Sequence, residues 1–219
     1  PHGARLIGPT GRGKSALIRN FCERLPKSSL FAPGHGAIVV RSGARPTAGH
    51  LLAALLRAYR YPFASVSGRT LYIKRDNLFD LMKAKGTRIV FVDEADRLLT
   101  QVRRRGEAAE QPEATQLLRD MMDECNVALV LAGTTALDQV TTVDSHLADR
   151  VSVRHELRYF EANQQWLGLL RGFAKQCTTF DIAVITDMPE AKRLHVATEG
   201  SLRRLKRVIT QGGLVGAQG

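Results

Sequence analysis

Gly8-Pro9-Thr10-Gly11-Arg12-Gly13-Lys14-Ser15 decides the fold. It follows Ala4-Arg5-Leu6-Ile7, which reads as a short strand. It precedes Ala16, Leu17, Ile18, Phe21 and Cys22, which recur at helical spacing until Pro26 ends the run. The octet fits GxxxxGK[ST] in the strand–loop–helix setting that the pattern requires. Its glycines let backbone N–H groups wrap a phosphate chain, and the helix N-terminus adds positive potential. Lys14 is placed to reach β- and γ-phosphates, and Ser15 to ligate Mg²⁺. The candidate nucleotide-binding residues are therefore Gly8, Pro9, Thr10, Gly11, Arg12, Gly13, Lys14, Ser15 and the following Ala16.

Downstream, strand-like and helix-like stretches alternate. Residues 37–40, 88–92 and 127–132 read as buried strands, and 151–157 as an edge strand. Thr47 is placed to cap a helix carrying Leu51, Leu52, Leu55, Leu56 and Tyr59. Further helices are predicted over 76–85 and 115–125, with polar loops over 61–69 and 101–111. This alternation predicts an α/β domain over residues 1–157, a parallel sheet covered by helices on both faces. After residue 158 the strands stop. Helical spacing over 161–177, 187–198 and 201–211 predicts a small all-helical domain over 158–219. The lone Trp166 falls on the first of these helices and reads as core.

A second carboxylate element completes the phosphate site. Ile89-Val90-Phe91-Val92 runs into Asp93-Glu94 at the C-terminal edge of the predicted sheet, where ligands bind in such folds. Asp93 is placed to hold Mg²⁺, and Glu94 to orient or deprotonate the water that attacks the γ-phosphate. The strand over 127–132 ends in Gly133-Thr134-Thr135. A hydroxyl there would lie between the carboxylates and the γ-phosphate, and Thr134 is preferred to Thr135.

Composition bounds the rest. The 219 residues carry 32 Lys and Arg against 21 Asp and Glu, a net charge of +11. The excess is uneven: residues 1–105 are net +14 and residues 106–219 net −3. A polyanion partner is the natural functional reading of the first half. Apolar runs are too short to cross a bilayer, and no leader is visible. Cys22, Cys125 and Cys177 make no zinc pattern, which suggests a reduced, cytoplasmic setting. Six scattered histidines have no metal-ligand spacing. The chain opens at Pro1 and reads as the ordered part of a longer protein.

Taken together, Gly8–Ser15, Asp93-Glu94-Ala95-Asp96-Arg97-Leu98 and Leu131-Ala132-Gly133-Thr134 resemble an AAA+ ATPase with its helical lid. More narrowly, the chain resembles the TniB and TnsC transposition regulators, relatives of the phage protein MuB. Asp-Glu-Ala-Asp-Arg-Leu directly after the third strand carries that likeness. So do Val-Leu-Ala-Gly-Thr ending the fourth and Thr198-Glu199-Gly200-Ser201 before a basic helix. The resemblance implies an arginine supplied by a neighbouring subunit to the γ-phosphate. Leu147-Ala148-Asp149-Arg150 matches that position, so Arg150 is the candidate and Arg154 the reserve. It implies a nucleotide-sensing arginine in the lid at Arg203. It also implies rings or helical filaments on double-stranded DNA, contacted at Arg45 and Thr70 with Arg69, Lys74 and Arg75 beside them. The Arg103-Arg104-Arg105 triplet could extend that surface. The expected cofactors are ATP and Mg²⁺. The expected partners are duplex DNA, a transposase and target-selection proteins of the same transposon, and further copies of the chain, with no membrane. The rival readings are a helicase loader or replication initiator, and a signalling NTPase that switches a protein interaction.

Overall fold

A computed structural model describes residues 2–25, 36–43, 47–99 and 113–216. Arg45 and Arg103–Arg105 lie outside the described residues, as does the predicted loop over 101–111.

Among the described residues, five strands form one parallel sheet: β1 (Ala4–Ile7), β2 (Ala37–Arg41), β3 (Ile89–Asp93), β4 (Ala128–Gly133) and β5 (Val153–Glu156). Their spatial order is β2-β3-β4-β1-β5, so β5 is an edge strand, as its sequence predicts. Alternation sorts the side chains. Ile7, Ile38, Val40, Val90, Val92, Leu129 and Leu131 join one core. Among the helices that contribute to that core are α2 (Ala48–Ala58), α3 (Leu71–Ala84) and α4 (Glu113–Cys125). Phe91 turns to the opposite face, where Phe21 of α1 (Lys14–Glu23) meets it edge-on with ring centroids 5.6 Å apart. Helices on both faces explain why the inner strands are apolar throughout. Two short helices, α5 (Val140–Val143) and α6 (Ser145–Arg150), lead into β5.

Thr47 caps α2 as its sequence predicts, accepting a hydrogen bond from the His50 amide at 3.3 Å. Leu52, Leu55 and Leu56 are fully buried behind it, each contributing about 1.5–3 kcal/mol of transfer free energy. Helix α3 starts five residues earlier than its apolar spacing predicts. A Ser67–Thr70 capping box and the 3₁₀ turn Gly68–Thr70 launch it. Its first turn carries the exposed Tyr72 and Ile73, which hide the helix from a reading of periodicity.

The remaining chain forms α7 (Gln164–Gln176), α8 (Met188–Thr198) and α9 (Leu202–Gly216) around a separate core of Trp166, Leu167, Leu170, Ala191 and Leu205. Trp166 is buried and donates its indole N–H to the Ala191 carbonyl at 2.8 Å. Helix α9 runs through Gly212-Gly213 rather than stopping at 211. Gly213 is pressed by the Phe180 ring, and a Cβ there would lie 2.8 Å from a ring carbon.

The chain divides into two units. The first comprises Pro1–Gly8 and Lys14–Glu156, and the second Pro9–Gly13 and Leu157–Gly219. Among the described residues, no helix is long and apolar enough to cross a membrane.

Candidate nucleotide site and basic surface

Parallel register brings the candidate site residues of the first unit to one edge. Arg41 pairs with Asp93, Asp93 with Ala132, and Ile7 with Gly133. The C-terminal ends of β2, β3, β4 and β1 therefore lie side by side. The Gly8 amide donates to the Gly133 carbonyl at 3.1 Å, extending the pairing of β1 and β4 by one step. Lys14 opens α1 and donates from Nζ to the Gly8 carbonyl at 2.5 Å. The Ser15 hydroxyl donates to Asp93 Oδ2, across 78 residues of chain. Asp93 Oδ1 accepts the Glu94 amide at 3.0 Å. A serine hydroxyl beside a carboxylate is a hard-oxygen donor set. It suits Mg²⁺, which keeps waters and phosphate oxygens as its other ligands.

Glu94 leaves the strand in a left-handed conformation, φ 55°. For a residue with a Cβ this costs about 1–2 kcal/mol. The turn aims its carboxylate at two arginines. Arg41 donates to Oε1, and Arg97 lies 2.9 Å from Oε2. The hydrogen bond from Arg41 holds the Glu94 carboxyl below the usual carboxylate range. Thr134 caps the 3₁₀ turn Thr135–Gln139 and donates its hydroxyl to Asp96 Oδ2 at 3.0 Å, whereas Thr135 is exposed.

The middle of the glycine-rich loop, Pro9–Gly13, belongs to the second unit. Gly11 and Gly13 have φ of +86° and +100°, which side-chain-bearing residues rarely adopt. The Arg203 amide donates to the Gly11 carbonyl at 3.1 Å, and a Cβ on Gly11 would lie 2.8 Å from the Arg203 Cβ. Tyr159 donates its hydroxyl to the Thr10 carbonyl at 3.3 Å. The Arg12 guanidinium stacks 3.8 Å from the Phe160 ring centroid and donates to the Arg158 carbonyl. Arg203 is thus brought to the loop, while Arg204 pairs with Glu199 at 2.8 Å.

Both arginine-finger candidates are held within the chain. Arg150 grips Asp123 of α4 through two hydrogen bonds, of 3.2 and 2.7 Å. Arg154 spans Asp138 and Glu156. The basic segment divides similarly. Arg69 is exposed, and Thr70 is occupied with Ser67. Lys74 donates to the Phe63 carbonyl at 2.7 Å, its ammonium 5.0 Å from the Tyr61 ring centroid. Arg75 is within ion-pair distance of Asp76, Asp120 and Glu124.

Sequence reading missed Arg41, Arg97, Asp96 and Asp123 as parts of these arrangements. Arg41 carried only a partial signal, as a cation directly after the apolar run 37–40. Asp123 carried none, lying among other charges on a polar helix face.

Several solved structures share this fold. A complex of the Aeropyrum pernix ORC1 protein with DNA covers 100% of this chain and 55% of its own, at 23% identity and TM-score 0.70. The Aeropyrum pernix ORC2 protein in ADPNP–ADP complexes covers 99% and 58%, at 15% identity and TM-score 0.70. The S. cerevisiae Hsp104–ADP complex covers 97% and 28%, at 15% identity and TM-score 0.62. This chain therefore spans little more than half the length of the archaeal proteins. No curated protein matches it in sequence. The shared architecture is the AAA+ fold, with a P-loop sheet domain and a helical C-terminal region. The family description "Bacterial TniB protein" matches residues 1–161, most of the length, and on that match the chain belongs to the TniB family.

Proposed function

We propose that this TniB-family chain is an ATP-dependent regulator of DNA transposition. It binds Mg-ATP, oligomerises on double-stranded target DNA as a ring or helical filament, and recruits or activates a transposase. Hydrolysis of ATP to ADP and phosphate returns it to the disassembled state. The observation that carries the nucleotide half is the Ser15–Asp93 hydrogen bond. It joins the two motif halves at the strand edge where nucleotides bind in such sheets.

In this reading Lys14 exchanges the Gly8 carbonyl for phosphate oxygens. Ser15 and Asp93 would hold Mg²⁺, which when bound would supply charge neutralisation at the phosphates. Glu94, released from Arg41 and Arg97, orients the attacking water and accepts its proton. Thr134 sits beside that water. Arg150 leaves Asp123 to reach the γ-phosphate on a neighbouring copy, a contact of the kind worth about 10³–10⁵ in rate. Arg203 is the nucleotide-sensing arginine of this reading.

In this reading Arg45 and Thr70 contact DNA with Arg69 beside them, while Lys74 and Arg75, next to them in sequence, keep their partners within the chain. Such contacts go to phosphates and carry little sequence information. The net charge of +14 over residues 1–105 supports this reading.

Electron microscopy of the chain with duplex DNA tests the proposal, with and without a slowly hydrolysed ATP analogue. Nucleotide-dependent rings or filaments are expected, and a chain that stays dispersed in both samples overturns it. A replication initiator or helicase loader is the second reading. The likeness to an ORC1 protein solved with DNA favours it. Assembly on DNA that leaves the rate of a transposase unchanged would select it.

A further inference from the structure

We infer that Asp96 is a positioning residue that turns Thr134 into a hydrogen-bond acceptor facing the attacking water, and prevents it from donating to the γ-phosphate. The inference rests on the hydrolysis reading above and assigns the polarity of one of its groups.

A threonine hydroxyl has one hydrogen to give and two lone pairs. The Thr134 hydrogen is given to Asp96 Oδ2 at 3.0 Å. One lone pair faces the Ala136 amide at 3.4 Å, as the cap of the turn that follows. One lone pair is left. A carboxylate accepts only, so Asp96 holds the hydroxyl hydrogen on its own side, and the remaining lone pair repels a phosphate oxygen. That lone pair attracts an O–H of water.

The fold makes this arrangement hard to reverse. Asp96 lies in the 3₁₀ turn Ala95–Leu99, two residues after Glu94, so the water-activating carboxylate and the aligning carboxylate share one short segment. Gly133 lets that segment come close. A Cβ at Gly133 would lie 2.8 Å from Asp96 Oδ1 and 3.3 Å from the Asp96 amide nitrogen. Asp96 therefore packs against the end of β4 and binds the next residue along it. Phosphate-directed donation falls to Lys14, and water-directed acceptance to Glu94 and Thr134.

Steady-state ATP turnover and equilibrium affinities for ADP and a slowly hydrolysed ATP analogue test this on the full chain. The variants are Asp96→Asn, Thr134→Val, Thr134→Ser and the Asp96→Asn/Thr134→Val pair. Asp96→Asn can donate to the Thr134 oxygen and so reverses the polarity with little change of shape. It is expected to lower kcat about 10-fold while leaving KM and the thermal midpoint unchanged. Thr134→Val is expected to match it and to keep the ratio of analogue to ADP affinity. The double variant is expected to fall no further, and Thr134→Ser to retain the rate. Three results would each overturn the inference: Asp96→Asn turning over within about twofold of the parent, losses that multiply in the double variant, or Thr134→Val losing its preference for the analogue over ADP. If Asp96→Asn lowers the thermal midpoint by more than about 5 °C, the Thr134→Val and Thr134→Ser pair decides alone. A parent chain that binds ATP without turning it over removes the hydrolysis reading and this inference together. Parent turnover with an unaffected Asp96→Asn removes the inference only.

Discussion

The C-terminal edge of the sheet and the connection from α2 to α3 are both rich in charge, and they use it in opposite ways. At the sheet edge, residues far apart in sequence meet as complementary partners: Ser15 with Asp93, Arg41 with Glu94, Asp96 with Thr134. Around α3 the cations of the basic segment are drawn inward instead. Lys74 turns to Phe63 and Arg75 to the carboxylates of α4. A surplus of positive charge is therefore not the same as a surface of available positive charge. Of the three cations Arg69, Lys74 and Arg75, only Arg69 stands exposed with no ion-pair or hydrogen-bond partner among the described residues.

Five substitutions would break or sharpen that contrast. Lys14→Ala has the largest expected effect. If its ammonium meets the phosphates as proposed, nucleotide affinity should fall by at least about 100-fold, read by titration calorimetry. Glu94→Gln comes next: kcat should drop about 10²–10³-fold with nucleotide affinity retained, because only proton acceptance is lost. Equal loss of binding would show that Glu94 holds the site together rather than acting in the chemical step.

The α3 segment gives a smaller and divided result. Arg69→Ala should reduce the slope of log DNA affinity against log salt by about one, as for the loss of one phosphate contact. Arg75→Ala should leave that slope unchanged and lower unfolding stability by roughly 1 kcal/mol, the scale of a partly exposed ion-pair cluster. The reverse outcome would mean that Arg75 abandons α4 when DNA arrives. The smallest effect is expected from Arg41→Ala. Arg41 holds the Glu94 carboxyl below its usual range. Glu94 must be ionised to accept a proton, so turnover fails as pH falls through its pKa. Removing Arg41 lets that pKa rise, and the acid limb of the kcat profile should move to higher pH. An unmoved limb would show that the pair does not persist during turnover.

How much of this was legible in the sequence follows from the range of each constraint. The octet Gly8–Ser15 is a local requirement, in which each glycine and the lysine has a place fixed by its neighbours. The Thr47 cap is local in the same sense, as is the alternation of strands and helices over residues 4–133. The start of α3 was hidden because its first turn is exposed. Long-range pairing was hidden for a different reason. The Arg41–Glu94 contact closes 53 residues of chain, and Arg75 with Asp120 closes 45. No spacing rule links such positions until the strand order is known. Once Arg41 is in register with Asp93, its meeting with Glu94 follows from geometry.

The second unit has a consequence for cutting this protein apart. It is not a continuous length of chain, because Pro9–Gly13 belongs to it together with everything from Leu157 onward. A fragment ending near residue 157 would keep every residue of the phosphate-loop signature. It would lose the Arg203 amide that holds Gly11, the Tyr159 hydroxyl that holds Thr10, and the Phe160 ring beneath Arg12. The smallest fragment that keeps the glycine-rich loop held in this way is thus larger than the motif and sheet suggest, and it ends beyond Arg203.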